Sequence, residues 1–366
     1  MTDERDGQVV TFYSYKGGTG RTMALANTAW ILAANGQRVL VADWDLESPG
    51  LHRFYAPFLD PDQVASTGGV MNLILEYESA NLKRLWEAED AGRLRAVEFR
   101  PGDWHRHMAS ARKYAFSVGW EFPGGGSLDL LLAGRHNPDY ATSVTGLDWD
   151  NFYNRLGGAL FFDFLREDMK RHYDWTLIDS RTGISDIVDI CTIHLPDVLV
   201  NCFTLSDQGI DGAATVAARV RCYEGRRARR VLPVPMRVEE REMSKAQAGR
   251  AVAMQRFAGL PGGMTDAERR EYWHTVGVPY RAYYAYEETL ATFGDLPGGR
   301  TTLLSAYETL TSYITGGRIR ALPRMDEALR RRTVARFERK PAVADELVVL
   351  RHIPRTPPGL SGYSPS

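Results

Sequence analysis

The sequence is poor in cysteine, contains no long apolar run and carries almost no net charge. The cysteines are Cys191, Cys202 and Cys222, an odd number without a CxxC pair. This argues against a disulfide framework and predicts buried, reduced thiols in a cytoplasmic protein. No apolar run reaches the roughly 18 residues that cross a bilayer, and MTDERDGQ lacks the basic and apolar regions of a signal peptide. A formal net charge of −1 neither favours nor excludes a nucleic-acid partner.

The composition is that of an average globular protein, since 44% of the 366 residues are hydrophobic and 25% are charged. That length suffices for one large domain or two smaller ones with a buried core. Short apolar runs alternate with helical patterns, which predicts an α/β fold with a mostly parallel sheet flanked by helices. The predicted strands are 9–15, 38–45, 127–134, 174–180, 197–205 and 229–236, and 278–286 is predicted as a last strand and loop.

Helices are predicted between most of these strands. The first begins inside a glycine-rich turn and buries one face, formed by Ala24, Leu25, Ala29, Leu32 and Ala33. The others are predicted at 150–172, 184–194, 209–222, 241–258 and 303–314.

The domain organisation is predicted from shifts in composition along the chain. Residues 1–317 form one domain in this prediction, and 54–126 is an inserted, mostly helical region. Residues 318–366 form a basic extension that ends in a disordered tail rich in Pro, Gly and Ser.

A glycine-rich turn follows the first predicted strand and precedes the first predicted helix, with the sequence SYKGGTGRT. It nearly fits the phosphate-binding pattern G-x-x-x-x-G-K-[ST], with Arg21 in place of the lysine and Tyr15 in place of the first glycine. Glycines allow the backbone to close on an anion, and the helix N-terminus adds a positive dipole. A glycine turn without a ligand is the alternative, but the strand before and the helix after it favour a phosphate site.

The stretch KGGTGRT resembles the deviant phosphate loop of the MinD/ParA ATPases, a branch of the P-loop proteins. The resemblance implies a three-layer P-loop NTPase fold, ATP and Mg²⁺ as cofactors, and dimerisation when ATP binds. In that family the early lysine, here Lys16, reaches the nucleotide of the partner subunit, and the residue at Arg21 contacts the phosphates of its own subunit. The nucleotide-binding run implied by the resemblance is Lys16, Gly17, Gly18, Thr19, Gly20, Arg21, Thr22 and Met23.

Arg21 is the departure from the family pattern. Arginine forks bidentately, whereas lysine is a compact point charge, so the exchange affects fast hydrolysis more than nucleotide binding. The variant loop is similar to that of a branch of bacterial, particularly actinobacterial, ATPases. The resemblance therefore implies a working but slow site.

Carboxylates follow two of the predicted strands, in VLVADWDLESPGL and in YDWTLIDSRTGISD. By the resemblance, Asp43 and Asp179 hold Mg²⁺ together with Thr22, and Asp45 orients the attacking water, so that Lys16, Arg21 and Asp45 are the catalytic residues. A carboxylate beside Mg²⁺ suits phosphoryl transfer, which depends on positioning and charge neutralisation. Solvated carboxylates at strand ends are the alternative.

Later segments extend the resemblance to residues 8–316. The segment 197–213 is similar to a strand and helix at the family's dimer interface, and Arg181 is predicted to touch phosphate, the other subunit or a surface carboxylate. Pro279 is placed near adenine by the resemblance. Arg237, in VPVPMRV, stands where the family often has an asparagine for the base, and we expect it to bind nucleotide.

The function predicted from these matches is an ATP-driven homodimeric switch that controls an unidentified regulatory or cargo protein, with 54–126 as the expected partner surface. A non-hydrolysing nucleotide sensor or scaffold is one alternative. ATP-dependent, nonspecific DNA binding is another, because 219–250 contains ten basic and four acidic residues and 318–340 contains nine and three.

Two weaker signals favour structural roles. Leu322, Met325, Leu329 and Phe337 repeat at helical spacing, as in a membrane anchor, but packing on the domain is the preferred interpretation and membrane binding is not expected. His105 and His107 lack partners at metal-ligand spacing and are predicted to be surface or core histidines.

Overall fold

The computed structural model describes residues 6–90, 103–135, 138–223, 229–299 and 301–338. Within these ranges the chain forms a seven-stranded sheet whose strand order is β3-β4-β2-β5-β1-β6-β7. All pairs are parallel except β3 with β4. The strands are β1 Gln8–Ser14, β2 Arg38–Trp44, β3 Phe116–Ser117, β4 Ser127–Leu131, β5 Trp175–Ser180, β6 Val198–Phe203 and β7 Arg230–Pro235.

Helices cover both faces of this sheet. The α-helices up to β5 are α1 Arg21–Ala34, α2 Pro61–Ser66, α3 Val70–Asp90, α4 Asp103–Met108, α5 Tyr140–Gly146, α6 Trp149–Asn154 and α7 Gly158–His172. Those after β5 are α8 Asp186–Asp189, α9 Asp207–Cys222, α10 Met243–Arg256, α11 Asp266–Thr275, α12 Ala282–Glu287, α13 Ala291–Gly294, α14 Leu303–Ile314 and α15 Glu327–Val334. Short 3₁₀ turns lie at Leu51–Phe58, Ala111–Lys113 and Glu240–Glu242, and a π turn lies at Ile190–His194.

The predicted α/β fold class is confirmed, because the strands are buried on both faces as parallel strands between helix layers must be. Register places the carboxyl ends of neighbouring strands side by side. In particular, Asp43 at the end of β2 lies opposite Asp179 in β5.

The first helix buries the predicted face, and most of its remaining surface is buried as well. Trp30 of α1 is fully buried, and its ring lies 5.0 Å from those of Phe58 and Phe122 and 4.9 Å from that of Phe293. On the other face of the sheet, Tyr77 of α3 packs on Phe161. The described part of 54–126 therefore contributes to both core layers, and its status as an insert stays a prediction.

Two sequence predictions about individual segments are wrong, and one strand was missed. Residues 278–286 form no strand: a single parallel bridge joins Val238 to Pro279, and α12 follows. The helix predicted at 150–172 is two helices, because Gly157 adopts a φ of 75° between α6 and α7. The two-residue strand β3 at the sheet edge was not predicted.

The beginning of the C-terminal extension packs on the domain. Phe337 is buried, and its ring lies 5.7 Å from that of Phe58 and 6.1 Å from that of Phe293. Leu322 is also buried, and Met325 packs against the same core, which agrees with the preferred interpretation. No helix within the described ranges is long and apolar enough to cross a membrane. The predicted disordered tail lies outside the described residues.

The surroundings of the cysteines and of His105 can be compared with the predictions made for them. Cys191 and Cys202 are buried free thiols, whereas Cys222 is exposed, so the prediction that it is buried is wrong. His105 is buried, with Nδ1 3.0 Å from the Tyr77 hydroxyl. Burial lowers its pKa, and the described residues contain no group of three or more His, Cys, Asp or Glu side chains that could hold a metal ion.

Candidate functional site

A cleft of about 860 Å³ opens at the carboxyl edge of the sheet, among the loops that follow β1, β2, β5 and β7. Parallel α/β sheets bind ligands at this edge, where the strand order reverses. Ten predicted site residues line the cleft: Gly17, Gly18, Thr19, Gly20, Arg21, Thr22, Met23, Asp45, Arg237 and Pro279. Three other predicted residues, Lys16, Asp43 and Asp179, are not in its lining, although the two aspartates lie directly behind it.

The glycine turn has the backbone geometry that an anion cradle needs. Gly18 and Gly20 adopt φ values of 70° and 88°, which a residue with a Cβ rarely adopts. Gly20 also precedes the first turn of α1, and no side chain caps that helix. The first N–H groups of α1 are therefore available to an anion in the cleft, where the helix dipole favours negative charge.

Arg21 lies at the floor of the cleft with its side chain only 6% exposed. Its Nε lies 2.5 Å from Asp179 Oδ1, and one terminal nitrogen lies 3.1 Å from Asp45 Oδ2. The guanidinium thus joins carboxylates from two adjacent strands. Its other terminal nitrogen, Nη1, is buried and has no hydrogen-bond partner in the described part of the chain.

The remaining carboxylate contacts come from the loop hydroxyl and from backbone amides. Thr22 Oγ1 donates to Asp179 Oδ2 over 2.7 Å. Asp43 accepts hydrogen bonds of 3.1 Å from the backbone N–H groups of Asp45, Gly50 and Leu51. Burial, together with the neighbouring Asp179, raises the pKa of Asp43 to about 8.

The donor set fits a hard divalent cation. Burial raises the pKa of Asp179, while Arg21 and the Thr22 hydroxyl oppose the shift. A buried carboxylate beside a threonine hydroxyl and a second carboxylate is an all-oxygen set of the kind that Mg²⁺ prefers. Thr22, Asp43 and Asp179, which were predicted as ligands, are therefore brought together by the fold.

Lys16 points away from the floor of this cleft. Its Nζ donates to Oε1 of Gln208, near the start of α9. Gln208 is exposed, and Lys16 is half-buried. The lysine thus lies between the glycine turn and α9, at the protein surface.

The segment after β5 is tied to the segment after β1. Gly183, with a φ of 81°, donates its N–H to the Tyr15 carbonyl over 3.1 Å and accepts a 2.8 Å bond from the Tyr13 hydroxyl. Arg181 lines the cleft and forms a 2.7 Å ion pair with Glu47, which is the surface carboxylate among the three predicted partners. The segment that precedes α8 is therefore hydrogen-bonded to the segment that precedes the glycine turn.

The far wall of the cleft contains residues that sequence reasoning did not find. Among the described residues, Arg237 and Glu288 are the two non-glycine residues with positive φ, at 54° and 49°, and both line the cleft. Arg237 donates to the Gly18 carbonyl over 2.7 Å, and its guanidinium lies 4.6 Å from the centre of the Tyr280 ring. The unpredicted lining residues include Arg53, Phe54, Tyr280, Arg281, Tyr284, Glu288 and Tyr307. The aromatic run YRAYYAY was the available signal for three of them.

Several arginines of the two basic stretches have partners within the chain. Arg219 pairs with Asp189, and Arg256, just beyond the first stretch, pairs with Asp211. Arg230 donates to the Tyr313 carbonyl over 2.6 Å at the end of α14. Glu327 pairs with both Arg330 and Arg331, while Arg226 and Arg227 lie outside the described residues.

Comparison with known proteins shows the fold. No family model and no curated protein sequence matches the chain. An aspartate-to-alanine variant of McdA from Cyanothece, in complex with ATP, is similar with a TM-score of 0.53 and 14% identity, over 88% of this chain and 99% of that chain. The septum site-determining protein MinD from Pyrococcus horikoshii, complexed with Mg-ADP, gives a TM-score of 0.52 and 13% identity, over 84% and 96%. The chain therefore has the three-layer P-loop NTPase fold that these two structures share.

Proposed function

We propose that the chain is an ATP-binding, slowly hydrolysing switch of the MinD/ParA type, which dimerises on ATP in the cytoplasm and controls a partner protein or positions a cargo. One observation carries the proposal: the glycine turn ends at the uncapped N-terminus of α1, where Thr22 contacts Asp179. A phosphate loop needs this juxtaposition of free N–H groups, a hydroxyl and a strand-end carboxylate.

The phosphates of the nucleotide would lie against the turn from Gly17 to Met23. Backbone N–H groups and the α1 dipole would bind them, and Gly18 and Gly20 allow that close approach. The base would lie toward Pro279 and Tyr280, beside Arg237. ATP as the nucleotide draws support from the fold shared with MinD complexed with Mg-ADP and with McdA in complex with ATP.

Thr22, Asp43 and Asp179 would hold Mg²⁺, which when bound supplies positive charge against the phosphate oxygens. Asp45 would orient the attacking water, because its side chain is 17% exposed and lies at the cleft. Arg21 holds Asp45 in place through the 3.1 Å contact. If Asp45 must leave its arginine partner to accept a proton from the attacking water, ATP hydrolysis is slow.

Lys16 would act in the dimer. It lies at the surface beside α9, where its Nζ contacts Gln208. This exposed hydrogen bond should be weaker than a bond from Lys16 to a phosphate of a second subunit, because charge-assisted bonds to phosphate are the stronger kind. Exchange of Gln208 for the partner's nucleotide would link ATP binding to dimerisation. A regulatory protein that prefers one state would then read that state.

The proposal is tested by titrating ATP and ADP into the protein with Mg²⁺ in a calorimeter, with GTP as the competing purine nucleotide. We expect ATP and ADP to bind and Thr22→Val to weaken ATP binding, while Thr22→Ser, which keeps the hydroxyl, serves as the matched control. Failure of every nucleotide to bind the folded wild-type protein would refute the proposal.

A non-hydrolysing nucleotide sensor is the second candidate, and the bridging of Asp45 and Asp179 by Arg21 favours it. Steady-state phosphate release at saturating ATP separates the two functions. Release that Asp45→Ala abolishes supports the ATPase, whereas binding without release supports the sensor. ATP-dependent DNA binding through 219–250 and 318–340 remains a further prediction, which retention that falls steeply with salt would support.

A further inference from the structure

The floor of the cleft contains a cation that is part of the protein. Arg21 contacts Asp179 through Nε and Asp45 through a terminal nitrogen, and its side chain is 6% exposed. Both oxygens of Asp179 are engaged, one by Arg21 and the other by Thr22. Each of these oxygens therefore already accepts one hydrogen bond from within the protein.

We propose that Arg21 takes over part of the charge neutralisation that Mg²⁺ provides in such sites, so that the chain binds ADP with little dependence on Mg²⁺. The inference rests on the proposed nucleotide site and adds the metal requirement of that site.

Electrostatics gives the first reason. Asp45 and Asp179 both contact Arg21 at the floor of the cleft, and bound phosphate would add further negative charge there. Like charges this close in a partly buried site repel strongly, because the effective dielectric constant there is well below that of water. Arg21 already places one positive charge between these two carboxylates before any metal binds.

The shape of the guanidinium gives the second reason. Its planar fork presents donors in several directions, and here two of them contact carboxylates from β2 and β5. Arg21 lines the cleft, and its Nη1 is buried without a hydrogen-bond partner in the described ranges. A phosphate oxygen would satisfy this donor while the other two nitrogens remain on the aspartates.

A lysine at the same position would behave differently. Its ammonium is one point charge on a flexible stem, without a planar fork that spans two carboxylates and a phosphate. When it turns to the phosphate, the aspartates need Mg²⁺. Arg21→Lys therefore restores the dependence on the metal.

The measurement is the dissociation constant of ADP by calorimetry, once with excess Mg²⁺ and once in EDTA, for the wild-type protein and R21K. In EDTA the wild-type dissociation constant is expected to rise less than about tenfold. For R21K the rise caused by EDTA should be about tenfold larger than for the wild type, because a charge-assisted contact contributes roughly a factor of ten in affinity. The matched control is R166K, which changes another buried arginine that pairs with Asp197 outside the cleft and should reproduce the wild-type ratio.

The outcomes separate this inference from the proposed function. A wild-type constant that rises well beyond tenfold in EDTA, or an equal rise in wild type and R21K, overturns the inference and leaves the nucleotide site intact. If thermal unfolding shows that R21K does not fold, the inference is decided by the wild-type protein alone, from the ratio of its ADP dissociation constants in EDTA and in Mg²⁺. Absence of ADP binding in both conditions overturns the proposed function, and the inference with it.

Discussion

Replacement of Gly212 by alanine should damage the phosphate loop from outside the cleft. Gly212 lies within α9, and the ring of Tyr15 packs directly against its α-carbon. A Cβ at this position would lie 2.1 Å from Cδ1 and 2.4 Å from Cγ of Tyr15. These atoms belong to the inner part of the ring, so the side chain and its backbone have to move.

Two effects of opposite sign decide the magnitude. Alanine in a helix interior is favoured over glycine by about 0.8–1.0 kcal/mol, whereas overpacking of this kind costs about 1–3 kcal/mol. Since the overlap involves ring atoms well inside contact distance, the second effect should prevail, with a net loss of up to about 2 kcal/mol in the free energy of unfolding. Tyr15 also precedes Lys16 and accepts the Gly183 N–H, so its displacement should weaken ADP binding.

Urea denaturation and ADP calorimetry test this expectation on Gly212→Ala. The matched control is Gly146→Ala at the end of α5, where a Cβ meets no atom within 4 Å, and this variant should keep wild-type stability or gain slightly. The reasoning is refuted if Gly212→Ala is as stable as the wild type and binds ADP equally well.

Three further predictions concern separate parts of the molecule. Asp197→Asn removes a carboxylate that pairs with Arg166 and accepts the Val9 N–H; thermal unfolding should show a loss of about 3 kcal/mol, whereas ADP affinity, measured by calorimetry, should not change. Arg237→Ala removes the 2.7 Å bond to Gly18 and the stacking on Tyr280, so ADP should bind about tenfold more weakly, and unchanged affinity would contradict the placement of the nucleotide. Burial lowers the pKa of His105, so the native state binds fewer protons there than the unfolded chain. The free energy of unfolding should therefore decrease as the pH falls through about 6.5. Chemical denaturation between pH 7 and 5 should show a smaller decrease for His105→Gln than for the wild-type protein.

The sheet could be predicted from the sequence because strands buried on both faces appear as continuous apolar runs between helical patterns. Six of the seven predicted strands are present. The failure at 278–286 has a physical cause: its alternating aromatic residues are partly exposed, with Tyr286 at 73%, and form a helix on the cleft wall instead of a ladder. The short strand β3 pairs through only two residues, too few for a periodic signal.

The site was predictable where residue type and spacing are enough to identify it, as in the glycine turn and the strand-end aspartates. The contacts of Arg21 were not, since they depend on how β2 and β5 are placed beside α1. The same is true of Arg237, whose left-handed backbone and contact with Gly18 arise across 219 residues of sequence. The contacts of Arg21 and of Arg237 both depend on the tertiary structure, which no local sequence pattern encodes.

The most direct test of the central claim is the solution mass of Asp45→Ala by light scattering, with ATP and Mg²⁺, then with ADP, and then without nucleotide. If the protein dimerises on ATP, its mass should double from 41.1 kDa with ATP and Mg²⁺ and remain that of the monomer under the other two conditions. A monomer under all three conditions would contradict the claim, because Lys16 would then have no nucleotide of a partner subunit to reach.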